Sequence, residues 1–287
     1  MLMTMMQRGL TAWRRPAAMA LVAGSTALAA GCGVSTQQEV QMGAQYASEI
    51  NRQLPIVDDA TLNRYINQVG NQLAAVTART QREGLRYQFF IVNADVVNAF
   101  AVPGGYVYVN RGLVERTDNL SELAGVLAHE IAHVEHRHGI DQMQKANNAN
   151  LALTLGYVLL GRQPSGLEQA AIGIGGNLYF ARHSREAENE ADALAVPMMV
   201  EAGISPNGLP TFFEELIAER QRSPSSLEQW FSTHPLTEDR IAGTQQVIAQ
   251  VPAARLRGLT TTTTAYTSFK TRLRGYRAPP PEYRQTR

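Results

Sequence analysis

The sequence predicts an α+β fold, mainly helical, with a small β-sheet beside a helix that carries HEIAH. Three observations lead there. His129, Glu130 and His133 sit in a run from Ser121 to Gly139 whose apolar residues Leu123, Val126, Leu127, Ile131 and Val134 recur at helical spacing. Strand-forming stretches are confined to Tyr87 to Val92, Val96 to Val102 and Tyr106 to Val109, with Pro103, Gly104 and Gly105 as the turn before the last. Nearly everywhere else the apolar spacing is helical.

The chain opens on a segment without an acid. Arg8, Arg14 and Arg15 precede the short apolar run Ala17 to Ala30, so Met1 to Gly31 reads as a secretory signal, too short for a comfortable membrane span. LAAGC resembles the lipobox of bacterial lipoproteins, with Ala29 where Leu is usual. The resemblance implies lipidation at Cys32, and Gly33 in place of Asp favours the outer membrane. Cys32 is the single cysteine, so no disulfide is available and the fold rests on its core and its metal. Without the signal, 26 basic against 25 acidic residues become 23 against 25. Nothing in that balance points to a nucleic-acid partner.

Gln37 to Leu54 and Asp58 to Ala78 read as packing helices separated by Pro55. The helix with HEIAH follows the strands, with Ser121 as its cap and Gly139 as its stop. On a helix, residues four apart share a face, so His129 and His133 aim two imidazoles at one point. Glu130, one step round, is placed to take the proton of a water that a metal activates. The chemistry this pattern predicts is zinc-dependent peptide hydrolysis.

Two histidines need a third ligand. A metzincin requires Gly where His136 stands and His where Gly139 stands, so that class is excluded. Ser184 to Ala195 reads as a second helix, on which Glu188 and Asp192 share a face. Glu188 can ligate while Asp192 fixes the outer nitrogen of a ligand histidine, with Glu186 and Glu190 as alternative ligands. Asp141 to Phe180 reads as a glycine-bearing helical hairpin over the cleft, a mobile flap or a static pair. His136, His138 and His183 are expected at the surface or just outside the ligands. Leu209 to Arg220 and Leu236 to Val251 read as helices. The tail beyond Ala254 carries eight basic residues against Glu282 alone, with Thr260 to Thr264 and Pro279 to Pro281 making much of it look irregular. It is expected to lie back on the acidic body or stay disordered.

HEIAH with SREAENEAD downstream, NAFAVPGGYVYVNRGLV (Asn98 to Val114) before it and THPLTEDRI (Thr233 to Ile241) after it resembles the gluzincin family of HtpX, BepA, LoiP and the CAAX prenyl endopeptidase type 1. The resemblance spans roughly Gln37 to Val251 and is most like a LoiP-type single-domain lipoprotein. It implies a zincin-like domain with one zinc on His129, His133 and Glu188, Glu130 as catalytic base, and Asp192 behind the ligands. It implies a role for His234 near the metal, steadying the oxyanion or occluding the zinc. Arg240 matches a family arginine that supports either the oxyanion or a core salt bridge. The expected organisation is a signal over 1–31, a metallopeptidase domain over 32–252 and a basic tail over 253–287. Expected substrates are unfolded or misassembled envelope proteins, taken as an added strand along Tyr106 to Asn110 or Asn98 to Val102. The expected place is the outer membrane facing the periplasm, through a lipid anchor, with the machinery that assembles outer-membrane proteins as an expected partner. The competing reading is a chaperone or assembly factor with latent peptidase activity.

Overall fold

The computed structural model describes residues 33–77, 84–145, 183–222 and 227–284. The signal and Cys32 lie outside them, as does most of the expected hairpin. Two helices come first, α1 (Thr36–Gln53) and α2 (Ala60–Thr77), the latter capped by Asp59, whose Oδ1 accepts from the Thr61 and Leu62 amides. Three strands follow, β1 (Gln88–Val92), β2 (Ala99–Val102) and β3 (Tyr106–Asn110). Gly104 and Gly105 turn β2 into β3 with φ of 84° and 90°, a region costly for any residue with a Cβ.

The sheet order is β1-β3-β2, with β3 parallel to β1 and antiparallel to β2. This corrects the expectation that Tyr106 to Asn110 is an edge: paired on both sides, β3 has no free backbone to offer. β1 is partly covered along its outer side, where Val57 donates to Ile91 and Asn93 donates to Pro55, both at 2.8 Å. Among the described strands β2 is the other outer one, and its Phe100, Ala101 and Val102 line the cleft. One face of the sheet joins the main core. The other carries Phe90, Tyr108 and Phe100, which stack across the strands with centroids 5.0 and 4.9 Å apart.

After the short helix α3 (Arg111–Arg116) comes α4 (Leu120–Glu135), buried along almost its whole length. Its cap is Asn119 rather than Ser121. Asn119 Oδ1 accepts from the Glu122 amide at 3.2 Å, and the Glu122 carboxylate reaches back to the Asp118 amide and Asn119 side chain, both at 2.5 Å. This closes a reciprocal cap, akin to a capping box, two residues earlier than the serine would. The stop is also displaced: α4 ends at Glu135, and Arg137 takes φ 60°, while Gly139 lies within the next helical stretch, 138–145. A non-glycine residue in that region needs outside support. Arg137 has it from α1, where buried Glu39 Oε2 lies 3.0 Å from its Nε.

Around α4 pack α2, α5 (Arg185–Glu201) and α6 (Gly208–Arg222). The crossing with α6 is close because both sides are glycine: a Cβ on Gly208 would stand 2.2 Å from the Ser121 carbonyl carbon, and one on Gly125 would stand 3.0 Å from the Leu209 Cα. Helices α7 (Glu228–Thr233), α8 (Glu238–Ala249), α9 (Ala253–Leu256) and α10 (Thr264–Arg274) follow, with a 3-10 turn at Pro281–Tyr283 near the end of the described residues.

The tail is more ordered than its composition suggests. Tyr266, Phe269 and Leu273 form an apolar stripe on α10 that enters the main core, with Phe269 stacked on Tyr65 at 4.5 Å. Arg111 donates to the carbonyls of Arg274 and Arg277 beyond the helix, a cation placed where the helix end is negative. Arg272 pairs with Asp59 and Arg255 with Glu201, so part of the tail's charge does lie on acids of the body. The described residues from 36 on cluster as one compact unit.

Candidate metal centre

The site is built where α4, α5 and the end of α7 meet. α4 sets His129 and His133 on one face, with their Nε2 atoms 3.0 Å apart. α5 is capped by Ser184, which accepts from the Ala187 amide, and it carries Glu188 to them: Oε1 lies 3.4 Å from His133 Nε2, and Oε2 lies 3.6 Å from His129 Nε2. His234 follows α7 with its ring against buried Trp230. Its Nδ1 lies 3.2 Å from Glu188 Oε1 and its Nε2 3.5 Å from Glu130 Oε1. One donor atom from each of His129, His133, Glu188 and His234 falls within 4.8 Å of all the others, and all four residues are buried. Three imidazoles and a carboxylate converging in the dark of the protein suit a divalent transition metal. Glu130 Oε1 is buried beside them without a hydrogen-bond partner.

A second layer holds these donors. Asp192, one turn along α5 from Glu188, places Oδ1 2.8 Å from His129 Nδ1. Arg240 on α8 grips Asp192 with two bonds of 2.8 Å, approaches Glu188 Oε2 at 2.5 Å and donates to the Pro235 carbonyl at 3.1 Å. One guanidinium thus ties both acids of α5 to the chain just after His234. The remaining nitrogen of His133 meets His138 Nδ1 at 2.8 Å, and His138 Nε2 lies 3.1 Å from Glu190 Oε2.

Electrostatics sort the donors. For His129, burial disfavours the charged ring, but Asp192 and Glu188 outweigh it and raise the pKa from 6.5 to about 9. For His133, burial acts with His183 and His129 to hold the pKa well below the usual range, so this ring is neutral and ready to ligate. Glu188 is buried too, yet His234, His129 and His133 hold it well below the ordinary carboxylate range. Glu130 goes the other way, pushed up chiefly by burial.

These shifts give a testable pH dependence. His129 is raised when folded, so its proton stabilises metal-stripped protein fully below pH 6.5, and that contribution is lost as pH rises through about 9. The melting temperature of stripped protein should fall over this interval. Loading metal displaces the proton and should flatten the dependence, as paired melting curves would show. Curves that coincide with and without metal would remove His129 from the donor set.

The cleft beside the donors is lined by Phe100, Ala101 and Val102 of β2 together with Glu130, His133, His183 and His234, and leaves a cavity of about 30 Å³. That is the room of roughly one water molecule. All the residues singled out in sequence around the motif come together here: His129, Glu130, His133, Glu188, Asp192, His234 and Arg240. Glu186 and Glu190 are exposed and do not reach the donors. His138 is buried and in contact with a candidate ligand, and His183 stacks on His133 with centroids 4.0 Å apart. Burial and the neighbouring His234 lower the His183 pKa to about 3. His136 is exposed, as expected. Among the described residues no helix is long and apolar enough to cross a membrane.

Comparison with known proteins finds peptidases. The model of peptidase family M48 matches residues 60–248. The beta-barrel assembly-enhancing protease of Escherichia coli (strain K12) is 33% identical over 221 residues, covering 74% of this chain and 44% of that protein. A mitochondrial metalloendopeptidase of Schizosaccharomyces pombe is 28% identical over 205 residues, covering 71% of this chain and 58% of its own. The metalloprotease LoiP of Escherichia coli (strain K12) is 33% identical over 159 residues, or 55% of this chain and 61% of LoiP. The chain spans less than half the length of the assembly-enhancing proteases it matches.

Proposed function

The chain belongs to peptidase family M48, and on that premise we propose that it is a zinc metalloendopeptidase acting on unfolded or misassembled proteins of the bacterial envelope. The observation that carries the reading is the buried convergence of His129, His133 and Glu188 with Glu130 beside them. Two imidazoles and a carboxylate are a donor set zinc uses in hydrolytic sites, and they are assigned as its ligands. When bound, zinc supplies a Lewis acid that acidifies water and polarises the scissile carbonyl.

The chain's own residues do the rest. Glu130 takes the proton of the attacking water and delivers it to the leaving amine, and its burial raises its basicity toward that task. Asp192 holds His129 by its outer nitrogen, and Arg240 holds Asp192. β2, which lines the cleft, receives substrate backbone as an added strand, which gives affinity with little sequence preference and suits unfolded chains. His234, inside the donor group, steadies the oxyanion when the cleft is open and competes for the metal when it is closed. The place of His234 among the donors supports a closed resting form. Cys32 is proposed as a lipid anchor in the outer membrane, holding the domain in the periplasm near the assembly machinery.

A second reading, an assembly factor with latent peptidase activity, is favoured by His234 in the donor group and by the printed name of the assembly-enhancing relatives. Zinc content and cleavage of unfolded casein by protein starting after Cys32, compared with His234→Ala, tests both. One zinc per chain with faster cleavage by His234→Ala supports a closed peptidase. Zinc without cleavage in either protein would move the assembly reading ahead.

A further inference from the structure

A second group of donors lies just outside the first. His136 caps the C-terminal end of α4, His138 opens the helical stretch after it, and Glu190 stands on α5 two residues past Glu188. One donor atom from each falls within 4.8 Å of the other two. His138 is 7% exposed, and its two nitrogens are already committed in direction, Nδ1 toward His133 and Nε2 toward Glu190. The His136 ring lies nearly parallel to it, 13° off, with centroids 5.3 Å apart. His136 and Glu190 are exposed, so their side chains can turn the last distance onto an ion, and the ion can arrive from solvent without opening the core.

We propose that His136, His138 and Glu190 form a second divalent-metal site, distinct from the one on α4 and α5 but joined to it through the contact of His138 with His133. Two imidazoles and one carboxylate select a borderline transition metal such as zinc, with water completing the shell, over calcium or magnesium, which take oxygen. His138 is the fixed member of the site, and the two exposed residues close on it. Filling this site draws Glu190 off its contact with His138 and sets a dication one imidazole away from His133. Excess zinc therefore weakens the inner centre. This consequence rests on the peptidase reading above, whereas the site itself does not.

The test is metal counting on untagged protein starting after Cys32, stripped with chelator and dialysed against rising free zinc. Wild type should take one tight and one weaker equivalent. His136→Ala and Glu190→Gln, both at exposed positions where folding is safe, should keep the tight equivalent and weaken the second at least about tenfold. A wild type that stops at one equivalent overturns the site. So does a second equivalent unchanged in both variants, or a Glu190→Gln that weakens only the tight one, which would leave Glu190 merely orienting His138. Metal counts read out whether or not the chain cleaves peptides, so failure here is separate from failure of the peptidase reading. If the counts hold, casein cleavage that falls with excess zinc in wild type and not in His136→Ala reports the coupling; equal inhibition in both would overturn it.

Discussion

Glu130→Gln is expected to keep its metal and its fold while losing peptidase turnover by about 10²–10⁴-fold, the span a positioned general base contributes. The substitution preserves shape and removes the basic oxygen. Glu130 is fully enclosed, and its Oε1 has no hydrogen-bond partner, so nothing structural depends on that atom being a carboxylate. The nearest ring nitrogen, His234 Nε2, stands 3.5 Å away, too far to count as a hydrogen bond that the amide would forfeit. Burial raises the Glu130 pKa even with a bond from the Ala101 backbone and with His234 nearby, and an amide oxygen can still accept that bond, so the variant should melt close to wild type. The measurement pairs zinc content, melting temperature and casein turnover on the same preparations. Loss of zinc in Glu130→Gln would move Glu130 into the ligand set, and turnover at the wild-type rate would remove it as the base. Glu188→Ala is the contrasting case, since it should lose zinc and activity together.

The parts of this site that could be read from sequence are the local ones. His129 and His133 face one point because they are four apart on a helix, and Glu188 and Asp192 are readable for the same reason. The cap was a near tie: Asn119 and Ser121 are both good capping residues, and Glu122, three after the asparagine, was the signal that favours Asn119. The stop of α4 lay beyond local reasoning, because Arg137 is held at φ 60° by Glu39, nearly a hundred residues earlier. The tail hid its stripe of Tyr266, Phe269 and Leu273 beneath its basic composition, although the helical spacing was there to find. Strand order had no local signal, since the partner of β3 on its far side, β1, is joined to it through β2. His138 carried a weak one: it follows His133 by five residues, across the end of the helix, where no periodic rule places a side chain.

Arg240 shows how a residue far along the chain can govern the site. It lies 48 residues from Asp192, and the resemblance alone left it between an oxyanion contact and a core salt bridge. Its guanidinium is spent on Asp192, Glu188 and the Pro235 carbonyl, with Phe213 beneath it at 4.7 Å, so it serves as the salt bridge. Arg240→Met should cost about 3–5 kcal/mol, because it strands two buried carboxylates rather than removing a pair. Asp192 then holds His129 less firmly, and zinc affinity should fall about 10–100-fold. Arg240→Lys should not rescue either, since a single ammonium cannot reproduce the forked grip on Asp192. The pH dependence separates this account from simple loss of packing. In wild type, burial opposes ionisation of Asp192, but Arg240 and His129 lower its pKa, so its contribution is present above the usual carboxylate range and is lost as pH falls. Removing Arg240 deletes that contribution, so the stability gap between wild type and Arg240→Met should narrow as pH falls through the carboxylate range. Denaturant melts across that range, with zinc competition against a chelator at neutral pH, measure both. A gap that stays constant with pH would assign Arg240 to packing alone.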